Sequence, residues 1–168
     1  MIDFHQVETA EDRRHVRELY GEYLAYMQEV LGREFGFELE VESYLEQDMA
    51  QLGKLLPPQG RLLLVESDGA IAGLGGLRQI GEHMGEIKRM YVRPAFRGRR
   101  LGRLLLDRLI AEARSIGYDT LRLDVGAHAP GAERIYRAAG FDNIDPYPQT
   151  EAPVEVHARW QFMELSLV

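Results

Sequence analysis

Cysteine is absent from the 168 residues of this chain. Disulfide bonds, thiolate metal ligands and a cysteine nucleophile are therefore excluded, and any reaction must use other side chains. Long apolar runs are absent as well, since no stretch approaches the roughly 20 residues that a membrane-spanning helix needs. The first residues, Met-Ile-Asp-Phe-His, lack the basic and then apolar layout of a signal peptide. We therefore expect a cytoplasmic protein with no membrane partner.

Positive charge is scarce overall, with 20 Lys and Arg residues against 27 Asp and Glu residues and a net charge of −7. General nucleic-acid binding depends on neutralising phosphates with Lys and Arg, so this balance argues against a nucleic-acid partner. An acidic surface mildly favours cationic small molecules as substrates, although solubility explains the same charge. The length and the 45% hydrophobic content predict one domain over residues 1–168.

Apolar periodicity predicts that helices and strands alternate along the chain. The predicted helices span residues 11–31, with Thr9 as a candidate N-cap, 41–52, 101–116 and 132–139. The predicted strands span residues 61–66 and 70–77, which form a hairpin, then 86–92, 120–125 and 160–168, with extended structure resuming at Phe141. Strand 86–92, helix 101–116 and strand 120–125 form a βαβ crossover, so these two strands must pair in parallel. The sequence thus predicts a mixed α/β sheet covered by helices.

The available positive charge concentrates in one turn, which follows Pro94 and opens the helix 101–116. This turn reads Arg97-Gly98-Arg99-Arg100-Leu101-Gly102-Arg103. A helix start leaves backbone N–H groups without partners and carries partial positive charge, and glycines let a ligand approach the backbone closely. The turn is therefore a candidate site for a phosphate or pyrophosphate. The alternative is that the arginines merely solvate a helix start.

Three segments carry a more specific signal: Lys88-Arg89-Met90-Tyr91-Val92-Arg93-Pro94, Arg97-Gly98-Arg99-Arg100-Leu101-Gly102 and Ile135-Tyr136-Arg137-Ala138-Ala139-Gly140-Phe141. In this order they resemble the signature of the GNAT (Gcn5-related N-acetyltransferase) superfamily, and the resemblance covers roughly residues 61–141. It implies a single-domain α/β fold with a central mixed, mostly antiparallel sheet of about six to seven strands, a splayed parallel pair and about four helices. It also implies that acetyl-CoA, or a close acyl-CoA, is the donor co-substrate and that an amine accepts the acetyl group.

The resemblance assigns the binding of acetyl-CoA to two parts of the chain. The pyrophosphate turn of the family begins at Arg97 and ends at Gly102, and its middle glycine corresponds to Arg100. This departure affects how closely the backbone approaches the pyrophosphate, although an Arg can add a charge-assisted hydrogen bond. The backbone of Met90, Tyr91 and Val92 is expected to bind the pantetheine arm. The N–H of Met90 is expected to face the thioester oxygen.

Two side chains are candidates for the proton transfers that amine acetylation needs. Tyr136 matches the family tyrosine and is the candidate acid for the departing thiolate; the alternative is a core tyrosine. Glu86 is the candidate base, because some relatives place a glutamate at the matching point. Strand alternation puts Glu86 and Lys88 on one face, so a solvated surface stripe is the alternative for this pair.

The remaining polar residues carry weaker signals. His83 and His128 could relay protons, but loop histidines are usually only solvent-exposed. Ala129 stands where many relatives carry an asparagine. Asp124, at the end of its strand, could meet an amine substrate or cap a turn. The other histidines show no ligand spacing, so we expect no metal.

Acceptor identity is not specified by the sequence. In the resembling fold the first two helices and the loop before the last strand line the acceptor pocket, and in this chain they contribute Tyr23, Met27, Phe35, Phe37, Tyr44 and residues 145–157. A small amine, an amino acid, a peptide N-terminus and a protein lysine all stay open. Direct transfer in a ternary complex is the leading hypothesis, which the lack of cysteine supports. The alternative is a non-catalytic acyl-CoA-binding or regulatory module, and a homodimer rests only on general frequency.

Overall fold

Seven strands form a single sheet in the computed structural model, which describes residues 1–126 and 129–168. The strands are β1 Ile2–Gln6, β2 Arg61–Ser67, β3 Ala70–Gly81, β4 Met84–Val92, β5 Thr120–Val125, β6 Asp142–Ile144 and β7 Gln161–Ser166. Their order across the sheet is β1-β2-β3-β4-β5-β7-β6. The β4/β5 pair is parallel and the other neighbouring pairs are antiparallel. The predicted mixed, mostly antiparallel sheet is confirmed.

Four α-helices cover the two faces of this sheet. They are α1 Ala10–Phe35, α2 Val41–Ala50, α3 Leu101–Ile116 and α4 Pro130–Ala138, and short 3₁₀ helices occupy Leu52–Leu55, Pro94–Phe96 and Val154–Arg159. On one face, α3 packs its buried leucines against Leu121 and Leu123 of β5. On the other face, Leu19 and Leu24 of α1 pack against Leu74 of β3. Each face therefore has its own apolar core. Within the residues that the structure describes, no helix is long and apolar enough to cross a membrane.

Helix α1 is longer than its predicted span of 11–31. Thr9 caps its start as expected, since the Asp12 N–H donates to Thr9 Oγ1 at 3.0 Å and the Thr9 N–H donates to Asp12 Oδ2 at 2.9 Å. The helix continues through Gly32 and ends at Gly36, whose φ of 62° lies in the left-handed region. A glycine inside a helix costs only about 1 kcal/mol, which tertiary packing of the helix outweighs. Gly36, and not Gly32, therefore acts as the C-cap.

Strand β1 was not predicted from the sequence. It is a five-residue edge strand that pairs with β2 from Ile2 opposite Ser67 to Gln6 opposite Leu63. Its side chains are exposed or half-buried, so it lacks the alternation between buried and exposed positions that marks a longer strand. Its formation depends on the neighbouring β2 edge, a contact that local periodicity does not report.

Strands β4 and β5 diverge soon after they meet. Their parallel pairing covers only residues 84–86 of β4 against 120–122 of β5. Farther along β4, Arg89 and Met90 lie opposite the single residue Gly75 of β3, and Arg89 has a φ of 56°. This β-bulge bends β4 and interrupts its pairing with β3, which resumes at Tyr91. Beyond residue 86 an opening separates β4 from β5, along which the edge of β4 that faces β5 has no strand partner among the described residues.

Candidate active site

Two cavities reach the opening between β4 and β5 from opposite faces of the sheet. The turn cavity, of about 620 Å³, lies on the α3/α4 face and is lined by the arginine-rich turn. The loop cavity, of about 580 Å³, lies on the α1/α2 face and is lined by α1, α2 and the segment before β7. Both cavities are lined by a common set of residues, namely Tyr23, Met90, Ala129, Ala132 and Tyr136. Molecules bound in the two cavities would therefore meet at these residues.

The turn cavity collects nearly all the residues predicted to bind acetyl-CoA. Those that line it are Met90, Tyr91, Val92, Arg97, Gly98, Arg100, Leu101, Gly102 and Arg103. Arg99 is not among the lining residues. Its guanidinium instead lies over the Phe96 ring at 5.3 Å and 3.7 Å from Asp68.

The backbone of the turn explains the family glycine and its replacement in this chain. Arg100 is the N-cap of α3 and has a φ of 64°, in the left-handed region that glycine adopts without strain. The arginine occupies the same conformation at a cost of about 1 to 2 kcal/mol. No side chain caps this helix start, so the N–H groups of its first turn are free to bind an anion. The departure at Arg100 therefore leaves the shape of the turn intact.

Arg97 fastens the turn to the end of β4. Its Nε donates to the Val92 carbonyl oxygen at 3.0 Å. Its guanidinium also lies over the rings of Tyr26 and Tyr91, at 5.7 and 5.9 Å from their centroids. Part of its role is thus to position the turn, in addition to any contact with a ligand.

Tyr136 stands where the two cavities meet. Its side chain is only 6% exposed, and its ring packs against Phe141 with the centroids 5.9 Å apart. Burial raises the pKa of the Tyr136 phenol above its usual value, and the nearby Tyr23 and Asp124 act in the same direction. The phenol is therefore protonated at neutral pH and can donate a hydrogen bond. Tyr136 therefore packs in the core and also lines both cavities, so the two interpretations of this residue are compatible.

Glu86 lies in a different environment from the one that the sequence suggested. The alternative of a solvated Glu86–Lys88 stripe is wrong, because the two side chains are 0% and 8% exposed. One Glu86 oxygen accepts from Arg78 Nε at 2.7 Å, and the other accepts from the Tyr147 hydroxyl at 2.6 Å. Glu86 also lines neither of the two cavities. Its base role stays a prediction, and this geometry does not favour direct contact with an amine.

The segment before β7 is held against the sheet by polar contacts. Glu151 accepts from Lys54 Nζ at 2.6 Å and lies 3.0 Å from Arg78 Nη1 and 3.5 Å from Lys88 Nζ. Burial acts to raise the pKa of Glu151, but these three cations together hold it at about 2. Next to it, the Thr150 hydroxyl donates to Asp124 Oδ2 at 3.0 Å. These contacts join residues far apart in the chain, and no sequence pattern signals them.

The loop cavity has an apolar part and a polar part. Its apolar lining comprises Leu24, Met27, Leu31, Phe37, Leu39, Tyr44, Val156 and Trp160, and its charged lining comprises Asp48, Lys88, Arg89, Asp124 and Glu151. Of the residues predicted to surround an acceptor, Phe35 is not in this lining, because its ring packs against the Arg159 guanidinium at 4.5 Å. Glu151 belongs to the predicted segment 145–157, whereas Lys88 was not predicted to line this cavity.

The position of His83 does not support its predicted role as a proton relay. His83 lies between β3 and β4 with its side chain 63% exposed, and neither cavity is lined by it. His128 lies outside the described residues. Ala129, at the position where the resemblance to the GNAT superfamily leads us to expect an asparagine, lines both cavities.

Comparison with known proteins identifies the family of this chain. The model of the acetyltransferase (GNAT) family matches residues 10–141. The chain belongs to this family. It is 29% identical, over 160 residues, to an uncharacterized N-acetyltransferase of Schizosaccharomyces pombe, an alignment that covers 94% of this chain and 93% of the relative. It is 35% identical, over 120 residues, to an IAA acetyltransferase of Azospirillum brasilense, with 71% and 76% covered.

A solved GNAT-like structure bears on the turn cavity. The fold matches that of a Salmonella typhimurium protein solved with its cofactor acetyl-CoA, with a TM-score of 0.69, 22% identity and coverage of 100% of this chain and 95% of that one. The family match over residues 10–141 identifies the protein as an acyltransferase of the GNAT family. Its turn cavity fits an acyl-CoA, because an uncapped helix start with adjacent arginines suits a pyrophosphate. The β4 edge that faces β5 has no strand pairing beyond residue 86 among the described residues, so its backbone groups are available to a ligand.

Proposed function

We propose that this GNAT acyltransferase transfers an acetyl group from acetyl-CoA to a primary amine, directly and within a ternary complex. Acetyl-CoA occupies the turn cavity and the amine occupies the loop cavity. The observation that carries this proposal is that the two cavities share Met90 and Tyr136 at the opening between β4 and β5. Two substrates bound from opposite faces of the sheet would meet there without a covalent enzyme intermediate.

The residues of the turn cavity bind and orient the donor. The N–H groups at the start of α3 and the side chains of Arg100 and Arg103 hold the pyrophosphate. Acetyl-CoA supplies the activated acyl group as a thioester. The Met90 N–H, on the bulged part of β4, donates to the thioester oxygen and stabilises the negative charge that develops there.

Tyr136 supplies the proton that the leaving sulphur needs. Its phenol is protonated at neutral pH and lies where the cavities meet, which is the position that a general acid requires. Its raised pKa makes it a weaker acid than an exposed tyrosine. Proton donation therefore has to accompany thiolate departure, when the sulphur becomes basic.

Asp124 is the group best placed to accept the proton of the amine. It lines the loop cavity at the carboxyl end of β5, and Thr150 binds one of its oxygens. Glu86, the base predicted from the sequence, acts in this proposal as a positioning residue that fixes Lys88 and Tyr147. A glutamine at position 86 distinguishes the two roles, because it removes the charge and keeps the size of the side chain.

The test follows CoA release with a thiol reagent across a panel of amines. The protein contributes no thiols of its own, since it has no cysteine. We expect release that depends on both acetyl-CoA and an amine, with intersecting initial-rate patterns. A broad panel without turnover, despite tight acetyl-CoA binding, would instead indicate the non-catalytic binding module.

A further inference from the structure

The charges on the wall of the loop cavity are not all matched by close ion pairs. Glu86 and Glu151 are the two carboxylates of one partly buried cluster, whose cations are the three residues Lys54, Arg78 and Lys88. This cluster has one cation more than it has carboxylates, and Asp124 on the neighbouring strand attracts Lys88 without an ion-pair contact among the described residues. Within the described residues, Lys88 has ion-pair contacts only at 3.5 and 3.8 Å, longer than a good hydrogen bond, and of the three cations only Lys88 lines the loop cavity.

A negative charge on the same wall also lacks a close ion pair. Asp124 accepts a hydrogen bond from Thr150, and it has no ion pair among residues 1–126 and 129–168. Arg89, the other cation of the lining, is not available to Asp124. Its guanidinium is bound to both oxygens of Asp48, at 2.9 and 2.8 Å.

Asp124 and Lys88 line the loop cavity from the neighbouring strands β5 and β4. Lys88 also contacts Glu86 and Glu151, on the side of the segment before β7. Asp124 and Lys88 attract each other, but no ion pair joins them among the described residues. The cavity therefore presents an anion and a cation on adjacent strands, beside an apolar wall.

We infer that the acceptor is an amine that also carries a carboxylate and an apolar body, in the manner of an α-amino acid with an apolar side chain. Asp124 binds its ammonium group, Lys88 binds its carboxylate and the wall formed by Met27, Phe37 and Trp160 packs against its side chain. Each charged group of such a molecule meets an opposite charge, and the molecule bridges Asp124 and Lys88, which do not contact each other among the described residues. This inference rests on the proposed function, because it assigns a substrate class to the same site.

The test compares three forms of one acceptor: L-leucine, L-leucinamide and 3-methylbutylamine, which keep the amine and the apolar body but differ in the carboxylate. L-phenylalanine, its amide and phenethylamine form a second series. We expect kcat/KM for the acid to exceed that for the amide by about tenfold or more, as for a hydrogen bond to a charged group. The amide has the less basic amine and more of it is unprotonated at neutral pH, so amine reactivity alone favours the opposite order.

Lys88→Met is the decisive variant. We expect it to lower kcat/KM for the acids by about tenfold while changing that for the amides less than about twofold. The fold should tolerate it, because Arg78 and Lys54 still neutralise Glu86 and Glu151. Arg114→Met is the matched control, since it makes the same change in net charge at an exposed position in the last turn of α3.

The outcomes separate the two proposals. Turnover of amides and simple amines equal to or faster than that of the acids overturns the inference and leaves the acetyltransferase proposal standing. An equal loss for acids and amides in Lys88→Met, with thermal unfolding unchanged, also overturns it. Absence of turnover for every amine contradicts the proposed function itself. Equilibrium titration of the acids and amides into the acetyl-CoA-free protein gives a second readout, in which only the acids should bind measurably.

Discussion

Replacing Glu86 by glutamine tests whether this carboxylate stabilises the fold or accepts a proton in the reaction. The carboxylate has no exposed surface and accepts short hydrogen bonds from Arg78 and Tyr147, with Lys88 nearby. A glutamine keeps the size of the side chain, but it removes the charge that the buried Arg78 and Lys88 share. Breaking a buried ion pair by removing one partner costs about 3 to 5 kcal/mol. Because the glutamine oxygen can still accept one hydrogen bond, we expect a loss of about 3 kcal/mol.

The loss can be measured by urea denaturation and by thermal unfolding. For a domain of this size, about 3 kcal/mol lowers Tm by roughly 6 to 12 °C. The control is Glu29→Gln, which disrupts an exposed pair 3.9 Å from Arg33 and should cost less than about 0.5 kcal/mol.

Catalysis by the folded fraction of Glu86→Gln then decides between the two roles. If Glu86 is a positioning residue, Glu86→Gln should keep the acid limb of the kcat/KM pH profile and lower the rate by about tenfold at most. A general base contributes about 10² to 10⁴-fold, and its removal would abolish that limb. Such a loss of rate, together with a stability change below about 1 kcal/mol, would refute the positioning role of Glu86.

Three further predictions concern the turn, the acid and the loop. Tyr136→Phe should lower kcat by about 10² to 10⁴-fold and leave the Kd of acetyl-CoA unchanged by isothermal titration; a reduced affinity for acetyl-CoA would contradict this. Arg100→Gly should be more stable than Arg100→Ala by about 1 kcal/mol in urea, since both lack the guanidinium and only glycine relieves the left-handed backbone; equal stability would argue against strain. Because the pKa of Glu151 is depressed to about 2, its contribution to stability is present above the usual pKa of about 4.5 and is lost as pH falls toward 2. Glu151→Gln should flatten the acid side of the stability profile, and an unchanged slope would contradict the ion-pair cluster.

The sequence predicted the elements that local patterns determine. The turn 97–103, with its glycines and arginines, and the βαβ unit around it are short-range features. Most of the predicted binding residues consequently line one cavity. Arg99 is the exception, because its direction depends on Asp68, a residue of a different turn.

Features that depend on tertiary contacts were missed. Edge strand β1 forms only against β2, and the bulge at Arg89 follows from a register shift against β3 between Leu74 and Gly76, which the β4 sequence does not reveal. The solvated alternative for Glu86 and Lys88 was wrong for a related reason. Strand alternation reports which residues share a face, but not whether a distant loop covers that face, and in this fold Tyr147 and Glu151 cover it.

The bulge at Arg89 has a consequence for how this enzyme can change during evolution. The Arg89 guanidinium is bound to Asp48 of α2, so a helix that lines the loop cavity also fixes the backbone beside Met90, which lines both cavities. Under the proposed function, substitution of Asp48 would therefore alter the binding of both substrates at once. By contrast, Phe37 and Trp160 line the loop cavity without lining the turn cavity. New acceptor preferences can arise at such positions while the acetyl-donor machinery is inherited unchanged.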